Sequence, residues 1–269
     1  MPIHVLLVDA LNLIRRVDAA QREGLGGKMG SSAVESCVQS LRRALKECSP
    51  THALCVFEGH GKSFRSELYP SYKTGRPPMP EDLECSLPAI REGFLGEGVK
   101  SVGLEAWEAD DVIATLACKV ESRGGEAVIL STDKIFLQLL SALVRVRDHF
   151  GKRDLDEGHV LSRFGVRPHQ LADLLALAGD PTNSIPGVPG VGMKTAAKLL
   201  REFQSLENIL AHAPALGNRL GQAIARHEEE ALLFQGLLRP KRDLDLGLNL
   251  QSFRFPPKGE PLPQKAGAV

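Results

Sequence analysis

The chain has 269 residues, enough for one large domain or two modest ones, and 43% of them are hydrophobic, which is ample for a core. Its 33 basic and 33 acidic residues give a net charge of zero, which argues against a protein that coats polyanions in general but leaves room for basic strips beside an acidic site. The chain has no run of eighteen apolar residues and no basic leader followed by an apolar stretch, so neither a membrane span nor a secretory signal is expected.

Short apolar, β-branched runs predict buried parallel strands in the first half of the chain. Helical stretches separate them, and alternation of strands and helices implies an α/β sheet with helices on both faces. The strands are predicted at residues 4–8, 53–57, 127–130 and 143–148, and the helices at 32–46, 83–97 and 110–122.

An acidic residue follows each of three predicted strands, at the sheet edge where open α/β sheets bind ligands. Three further acids lie together at the start of the helix at 110–122. Any one of them is commonly a turn residue or a helix cap. The convergence of all six is best explained by a cation among them, and Mg²⁺, which prefers oxygen ligands, is the natural candidate. The six acids are Asp9, Glu58, Glu108, Asp110, Asp111 and Asp133.

The segment at 64–80 places both tyrosines of the chain, Tyr69 and Tyr72, among arginines and lysines. Such a mixture suits a single nucleic-acid strand, whose bases stack on aromatic rings while cations pair with phosphates. The alternative is a basic loop with its tyrosines packed inward. Because the segment follows the strand that ends at Glu58, it is expected to overhang the acidic edge.

From about residue 160 the predicted strands give way to short helices. An α/β domain is therefore expected at 1–160, a helical domain at 161–250, and a disordered tail without apolar periodicity at 251–269. The helices are predicted at 168–178, 193–203, 205–212 and 218–238.

Glycines recur through residues 185–195, immediately before an Ala/Leu-rich helix. Glycine lets a backbone approach a ligand closely, and the N–H groups at the helix start can bind an anion. Lys194 and Lys198 project from one helix face. An ordinary turn between helices is the alternative, but the full string matches helix–hairpin–helix modules that grip duplex DNA through main-chain amides.

Together these elements resemble the bacterial 5′-nuclease family, which includes flap endonucleases and the 5′-nuclease domain of DNA polymerase I. The resemblance runs from about residue 3 to 245 and is closest to the short stand-alone members. It implies a PIN-like, mostly parallel α/β sheet flanked by helices, an arch segment at about 60–85, and a C-terminal helix–hairpin–helix (H3TH) domain. The strings that carry it lie at 8–12, 72–80, 108–111, 131–134 and 187–192.

The resemblance also implies roles for individual residues. The six acids would form the first magnesium site, with Asp110 as a catalytic residue, and Lys73 and Arg76 would contact the scissile phosphate from the arch. A potassium ion would be held by the backbone carbonyls of Leu177, Ala178, Pro186, Val188 and Val191. The residues expected to contact DNA are Gly190, Val191, Gly192, Met193, Lys194, Thr195 and Lys198, together with Tyr72.

The chain departs from the family pattern at three positions. Glu58 stands where the family usually has Asp, and Ile135 replaces an acid. The Gly-Asp-x-x-Asp motif keeps Asp180 but has Asn183 as its last residue. Isoleucine cannot ligate a metal and asparagine brings no charge, so the second metal site of the family is incomplete here.

The leading hypothesis is a Mg²⁺-dependent flap endonuclease or 5′-3′ exonuclease, with Mn²⁺ as a substitute ion, acting on DNA with a 5′ flap or overhang in replication and repair. The expected protein is a bacterial, cytoplasmic monomer without membrane contact; five scattered cysteines without a CxxC pair fit reduced thiols. Two alternatives remain open: a branched-DNA-binding protein with a residual metal site, and a related metal-dependent ribonuclease.

Overall fold

A computed structural model describes residues 2–24 and 33–255. Within these ranges six strands form one sheet in the order β3-β2-β1-β4-β5-β6, parallel except for the antiparallel edge strand β6. In the same ranges no helix is both long and apolar enough to cross a membrane. The strands are β1 His4–Asp9, β2 His52–Val56, β3 Lys100–Val102, β4 Glu126–Leu130, β5 Val144–Asp148 and β6 Arg153–Leu155.

Both faces of the central strands are buried, which explains why they occur in the sequence as continuous apolar runs. Side chains alternate across the sheet, so Leu7 of β1 faces one hydrophobic cluster and Leu6 faces the other. The cluster around Leu7 continues into the C-terminal helices and so joins the two halves of the chain. Helices α1 Ala10–Gly24, α2 Ala33–Cys48 and α4 Glu81–Gly96 pack on the Leu6 side, and α5 Ala109–Glu121 packs on the Leu7 side.

The α/β class and the mostly parallel sheet are confirmed, but the sequence analysis missed several short elements and one long helix. Strands β3 and β6 have three residues each, too few for a periodic signal. Helix α1 begins directly after β1 without a connecting loop and was not predicted. The other two missed helices are α3 Phe64–Leu68 and α6 Glu157–Phe164.

The C-terminal half is helical, as predicted, but the predicted helix at 218–238 is two helices. They meet at His227, which has a non-helical backbone, and three acids at 228–230 then occupy the first turn of the second helix, where they favour its dipole. The helices are α7 Leu171–Ala178, α8 Met193–Phe203, α9 Leu206–His212, α10 Arg219–Arg226 and α11 Glu228–Leu238, with 3-10 turns at Lys134–Leu139, Pro168–Gln170, Pro181–Asn183, Ala213–Leu216 and Leu250–Phe253.

The predicted tail begins too early at residue 251. Phe253 is buried, and the Phe255 N–H donates to the Thr51 carbonyl at 2.8 Å, so the chain still packs beside β2 at this point. The apolar contact of Phe253 explains this order in a segment of otherwise polar composition. The rest of the predicted tail, residues 256–269, lies outside the described residues.

Candidate metal site and nucleic-acid interface

The parallel sheet brings the predicted acids to one edge. Asp9 is the last residue of β1, while Glu58 and Asp133 lie just past the ends of the neighbouring strands β2 and β4. Helix α5 starts at the same edge: the Ala109 N–H donates to Glu58 Oε2 at 3.0 Å, which ties Glu58 to the helix turn that carries Asp110.

Local hydrogen bonds fix the carboxylates at this edge. Asp9 accepts from the Asn12 N–H at 3.1 Å and from the Ser131 hydroxyl at 2.8 Å, and Asp133 accepts from the Ile135 N–H at 2.9 Å. In contrast, the Asp110 carboxylate accepts no hydrogen bond from the described residues. The acids are therefore oriented by the fold, and Asp110 keeps free acceptor capacity.

The electrostatics of the edge are unfavourable without an added cation. Burial raises the pKa of Asp9 to about 7, and repulsion by Asp133 and Glu58 adds to the effect despite the hydrogen bonds from Asn12 and Ser131. Burial, and then the charge of Asp133, also raise the pKa of Asp110 well above its ordinary value. Burial likewise raises the pKa of Glu58. These four carboxylates share one region of negative potential that a bound cation would relieve.

Lys73 brings positive charge from the protein itself into this region. Lys73 Nζ lies 2.7 Å from Glu108 Oε2 and 4.0 Å from Asp110 Oδ2. Burial alone would raise the pKa of Glu108, but the charges of Lys73 and Arg65 hold it below its ordinary value. Lys73 has φ of 60°, a left-handed conformation that is uncommon outside glycine and marks a tightly determined turn.

The donor set fits a hydrated divalent ion and not a closed protein cage. Across residues 2–24 and 33–255, no three or more His, Cys, Asp or Glu side chains stand close enough to hold a metal as they are. Mg²⁺ keeps several of its waters and needs only one or two direct carboxylates, with the others acting through water. The free oxygens of Asp110, beside the fixed oxygens of Asp9 and Asp133, match that requirement.

Asp111 is a correction to the sequence analysis, which made it a metal ligand. It is fully buried, and both of its oxygens bind the fully buried Arg65, at 2.6 and 2.7 Å. The Lys241 N–H donates to Oδ1 as well. Arg65 also donates to the Leu237 carbonyl at 2.7 Å. Asp111 therefore belongs to an internal ion pair that ties α3 and α5 to the end of α11, and a metal cannot reach it.

Tyr72 is a second correction, because it cannot stack on a base. Only 5% of Tyr72 is exposed, its hydroxyl donates to Glu108 Oε2 at 3.4 Å, and Lys73 Nζ lies 5.0 Å from its ring centroid. Tyr69 also packs inward, edge-on against Phe234 with ring centroids 5.6 Å apart. The inward-packed alternative therefore holds for both tyrosines.

Arg76 is exposed and lies between the segment at 64–80 and the helical domain. Its Nε donates to the Thr182 carbonyl at 3.1 Å and its Nη2 donates to Asn183 Oδ1 at 2.9 Å. The Lys73 N–H also donates to the Asn183 carbonyl, at 3.1 Å. Asn183 thus has a structural task at the position where the family pattern has an acid.

The remaining second-site acid, Asp180, is neutralised internally. It is 1% exposed, and Lys134 Nζ lies 2.9 Å from its Oδ1. The Asn183 amide donates to Oδ2 at 2.7 Å. Burial raises the pKa of Asp180, but hydrogen bonds from Thr182 and the charge of Lys134 bring it below its ordinary value. Ile135, which follows Lys134 in the chain, is buried. Lys134 thus supplies a protein cation at the position where the family pattern has its second metal site.

The glycine-rich hairpin at 185–192 joins α7 to α8 and faces solvent at its tip. A Cβ on Gly187 would lie 2.3 Å from the Gly179 nitrogen and 2.7 Å from the Leu177 oxygen, so Gly187 permits close packing inside the hairpin. A Cβ on Gly190 would meet nothing within 4 Å, but its φ of 83° favours glycine. No side chain caps the start of α8 at Gly192, so the first N–H groups of that helix remain available to an anion.

The predicted DNA-contacting residues divide by exposure. Gly190, Gly192, Met193, Lys194 and Lys198 are exposed and Thr195 is half-buried, whereas Val191 is buried and can offer only its main chain. The predicted potassium ligands lie in two segments that touch: the Val188 N–H donates to the Leu177 carbonyl at 2.8 Å, and a Cβ on Gly179 would lie 2.6 Å from the Pro186 oxygen. Ala178 follows Leu177 in the chain and lies in the same contact with the hairpin, close to Gly187.

The sequence analysis assigned no role in the site to Arg65, Lys134, Ser131 or Asn12. Arg65 lies in the segment at 64–80, and nothing in the sequence distinguishes a buried arginine from a solvated one. Ser131 and Asn12 lie within strings that carry the family resemblance, close in sequence to Asp133 and Asp9. This closeness was the one feature of the sequence that could have indicated their roles.

An acid-edged parallel sheet joined to a helical domain with a glycine hairpin defines the 5′-nuclease class. The chain matches the 5′-3′ exonuclease N-terminal resolvase-like domain over residues 4–165 and the 5′-3′ exonuclease C-terminal SAM fold over residues 166–260. The chain therefore belongs to the 5′-3′ exonuclease family.

Similar proteins support this assignment. Flap endonuclease Xni of Cronobacter sakazakii is 43% identical over 257 residues, covering 95% of this chain and 99% of that protein. Flap endonuclease Xni of Klebsiella pneumoniae gives the same identity and coverage. The zinc-bound T5 5′-exonuclease superposes with a TM-score of 0.73 at 22% identity, over 87% of this chain and 89% of the other, and shows the shared fold.

Proposed function

We propose that this chain is a divalent-metal-dependent flap endonuclease that hydrolyses a phosphodiester near the base of a 5′ flap in DNA. The observation that carries the proposal is the group of mutually repelling, buried carboxylates at the sheet edge, beside an exposed anion-binding hairpin. The name shared by the two relatives at 43% identity supports the flap substrate.

The residues have separable tasks in this proposal. Asp9, Glu58, Asp110 and Asp133, with Glu108 beside them, would hold Mg²⁺, or Mn²⁺ in its place, some through water. When bound, the ion supplies Lewis-acid stabilisation of the phosphate and lowers the pKa of a water. Structures of the T5 enzyme with bound metal ions support the use of a divalent ion.

Lys73 and Arg76 would place positive charge against the scissile phosphate. Lys73 Nζ already lies at the acidic edge, so a phosphate docked beside Asp110 would meet it there. The hairpin would hold the duplex through main-chain N–H groups, with Lys194 and Lys198 against phosphates. Such contacts position the duplex without reading its sequence.

The proposed K⁺ in the hairpin would use the carbonyls of Leu177, Ala178, Pro186, Val188 and Val191. The contact between the two segments that carry these carbonyls supports it. The expected monomeric state and cytoplasmic location stay predictions.

The test of this function is cleavage of an end-labelled 5′-flap duplex across a Mg²⁺ titration. Asp110→Asn is expected to abolish cleavage while retaining DNA binding, because it removes a carboxylate without changing shape. Glu92→Gln, an exposed acid in α4 outside the arch segment, is the matched control and should cleave as the unchanged protein does. Equal cleavage by Asp110→Asn and the unchanged protein would refute the assignment of Asp110.

A second candidate is a branched-DNA-binding protein with weak or no turnover. It is favoured by the two lysines, Lys73 and Lys134, that already neutralise parts of the acidic edge. Tight binding of the flapped duplex without cleavage at any Mg²⁺ or Mn²⁺ concentration would select this candidate.

A further inference from the structure

A basic cavity of about 550 Å³ adjoins the acidic edge on the side of Asp133. It lies between α1, the segment at 75–77, the 3-10 turn that begins at Lys134, and α6. Its volume lies in the range of small-molecule sites, which are roughly 300–1,000 Å³. The charged or titratable side chains that line it are Arg15, Arg76, Asp133, Lys134, His159 and Arg163.

The cations of this cavity are mostly uncompensated. Arg15 and Arg163 are exposed and form no ion pair with the described residues. Arg76 donates only to the neutral oxygens of Thr182 and Asn183. Only Lys134 has an acidic partner, Asp180. The wall holds one carboxylate, Asp133, against three guanidinium groups, so a further anion would be favoured there, and guanidinium matches phosphate geometry well.

A second, independent feature of the cavity is an unsatisfied imidazole. His159 Nε2 is buried and has no hydrogen-bond partner. A buried polar atom without a partner is costly, so a ligand oxygen that reached it would be favoured. Burial, and then the charges of Arg153 and Arg163, lower the pKa of His159, so its imidazole is favoured in the neutral form.

The size and position of the cavity select the ligand. A cavity of this volume admits one unpaired nucleotide, whereas a duplex needs an open surface such as the hairpin. Asp133 belongs both to the acidic edge and to the cavity wall, so a nucleotide held here would lie beside the proposed metal site. Buried Leu137 adds an apolar wall for a sugar or base.

We propose that this cavity binds a phosphate of the unpaired 5′ arm of the DNA, with Arg15 and Arg163 as its phosphate-binding residues. The proposal rests on the proposed flap substrate and assigns the position of the single-stranded part. The arginines bind the phosphate whether it is internal to a longer flap or the terminal 5′-phosphate of a short one.

The test compares the affinity of a flapped duplex with that of a nicked duplex without a flap, by fluorescence anisotropy in EDTA so that no cleavage occurs. Arg15→Ala combined with Arg163→Ala is expected to weaken flap binding about tenfold while leaving nicked-duplex binding unchanged. The salt slope for the flapped duplex should fall by about 0.7 for each lost contact. Lys194→Ala should weaken binding of both duplexes equally, and Arg123→Ala, just past the C-terminal end of α5, should change neither.

The outcomes separate the two proposals. Wild-type protein that neither binds nor cleaves flapped DNA with Mg²⁺ present would defeat the proposed function and this inference together. If the wild-type protein cleaves the flap but the arginine variant loses affinity for both duplexes equally, or for neither, only the inference is overturned. One-nucleotide flaps with 5′-phosphate or 5′-hydroxyl ends then identify which phosphate the cavity binds. If the tighter binding of the flapped duplex is lost only with the 5′-hydroxyl end, the cavity binds the terminal phosphate. If it is retained with both ends, the cavity binds an internal phosphate.

Discussion

Two sets of acids on the same edge of the sheet differ in how their charge is balanced. Asp111 and Asp180 are buried in ion pairs with Arg65 and Lys134. Asp9 and Asp110 are buried almost as deeply, but lack such a partner within 3.5 Å, and their pKa values are raised. Burial alone therefore does not define a metal site. The acids left uncompensated by the chain are those that an external cation can use.

This difference also limits the number of divalent ions that the edge can hold. A divalent ion at Asp180 would have to displace Lys134 and break the hydrogen bonds from Thr182 and Asn183. At Asp110 it would meet a carboxylate with free oxygens and would relieve repulsion from Asp133 and Glu58. We therefore expect divalent ions to bind first, and most tightly, in the half that contains Asp110.

The largest expected effect comes from breaking the compensated set. Arg65→Met should lower the free energy of unfolding by about 3–5 kcal/mol, because it leaves the fully buried Asp111 without its partner. Urea denaturation measures the change. The matched control is Arg42→Met, which removes an arginine of similar pairing, to Glu97 and Glu35, from the exposed surface and should change stability little.

A double variant sharpens this test. Arg65→Met combined with Asp111→Leu removes both charges and should recover part of the lost stability, since apolar replacement of a whole buried pair is often tolerated. If Arg65→Met cost no more than Arg42→Met, the internal role assigned to Asp111 would be wrong, and the carboxylate would return to the list of candidate metal ligands.

The next largest effect concerns Lys73, the cation that lies between Glu108 and Asp110. Lys73→Met is expected to lower kcat on the flapped duplex about 100-fold, roughly 2.7 kcal/mol, because a charge placed to stabilise the reacting phosphate is lost. Its removal also leaves Glu108 with less positive charge, so Mg²⁺ should stabilise this variant more than the unchanged protein. Lys46→Met, exposed on α2, is the control. An unchanged kcat would exclude Lys73 from the chemistry.

The acids without a close ion-pair partner could be predicted from the sequence, but the cations that pair with the other acids could not. The uncompensated acids were predictable because each follows a buried strand or starts a helix, and parallel strands align their ends. The compensating cations were not. Arg65 is 46 residues from Asp111, and Lys134 is paired with an acid in the other domain, so both pairs depend on tertiary packing. The inward orientation of Tyr72 was equally open, because a basic loop with tyrosines has the same composition whichever way its rings face.

The smallest expected effect tests the uncompensated set through pH. Because the pKa of Asp9 in the folded protein is raised to about 7 from its ordinary 3.8, its contribution to the stability of the metal-free protein is complete below pH 3.8 and is lost as the pH rises to about 7. Below pH 7 a bound Mg²⁺ must also displace this proton. The affinity for Mg²⁺ should therefore increase about tenfold between pH 6 and pH 8, equivalent to about 1.4 kcal/mol, and level off above. Thermal unfolding with and without Mg²⁺ measures this as a larger increase in Tm at pH 8 than at pH 6. Asp9→Asn should reduce the pH dependence, and Asp110 and Glu58, whose pKa values are also raised, would account for what is left. An equal Mg²⁺ effect at both pH values in the unchanged protein would show that Asp9 does not contribute to the metal site.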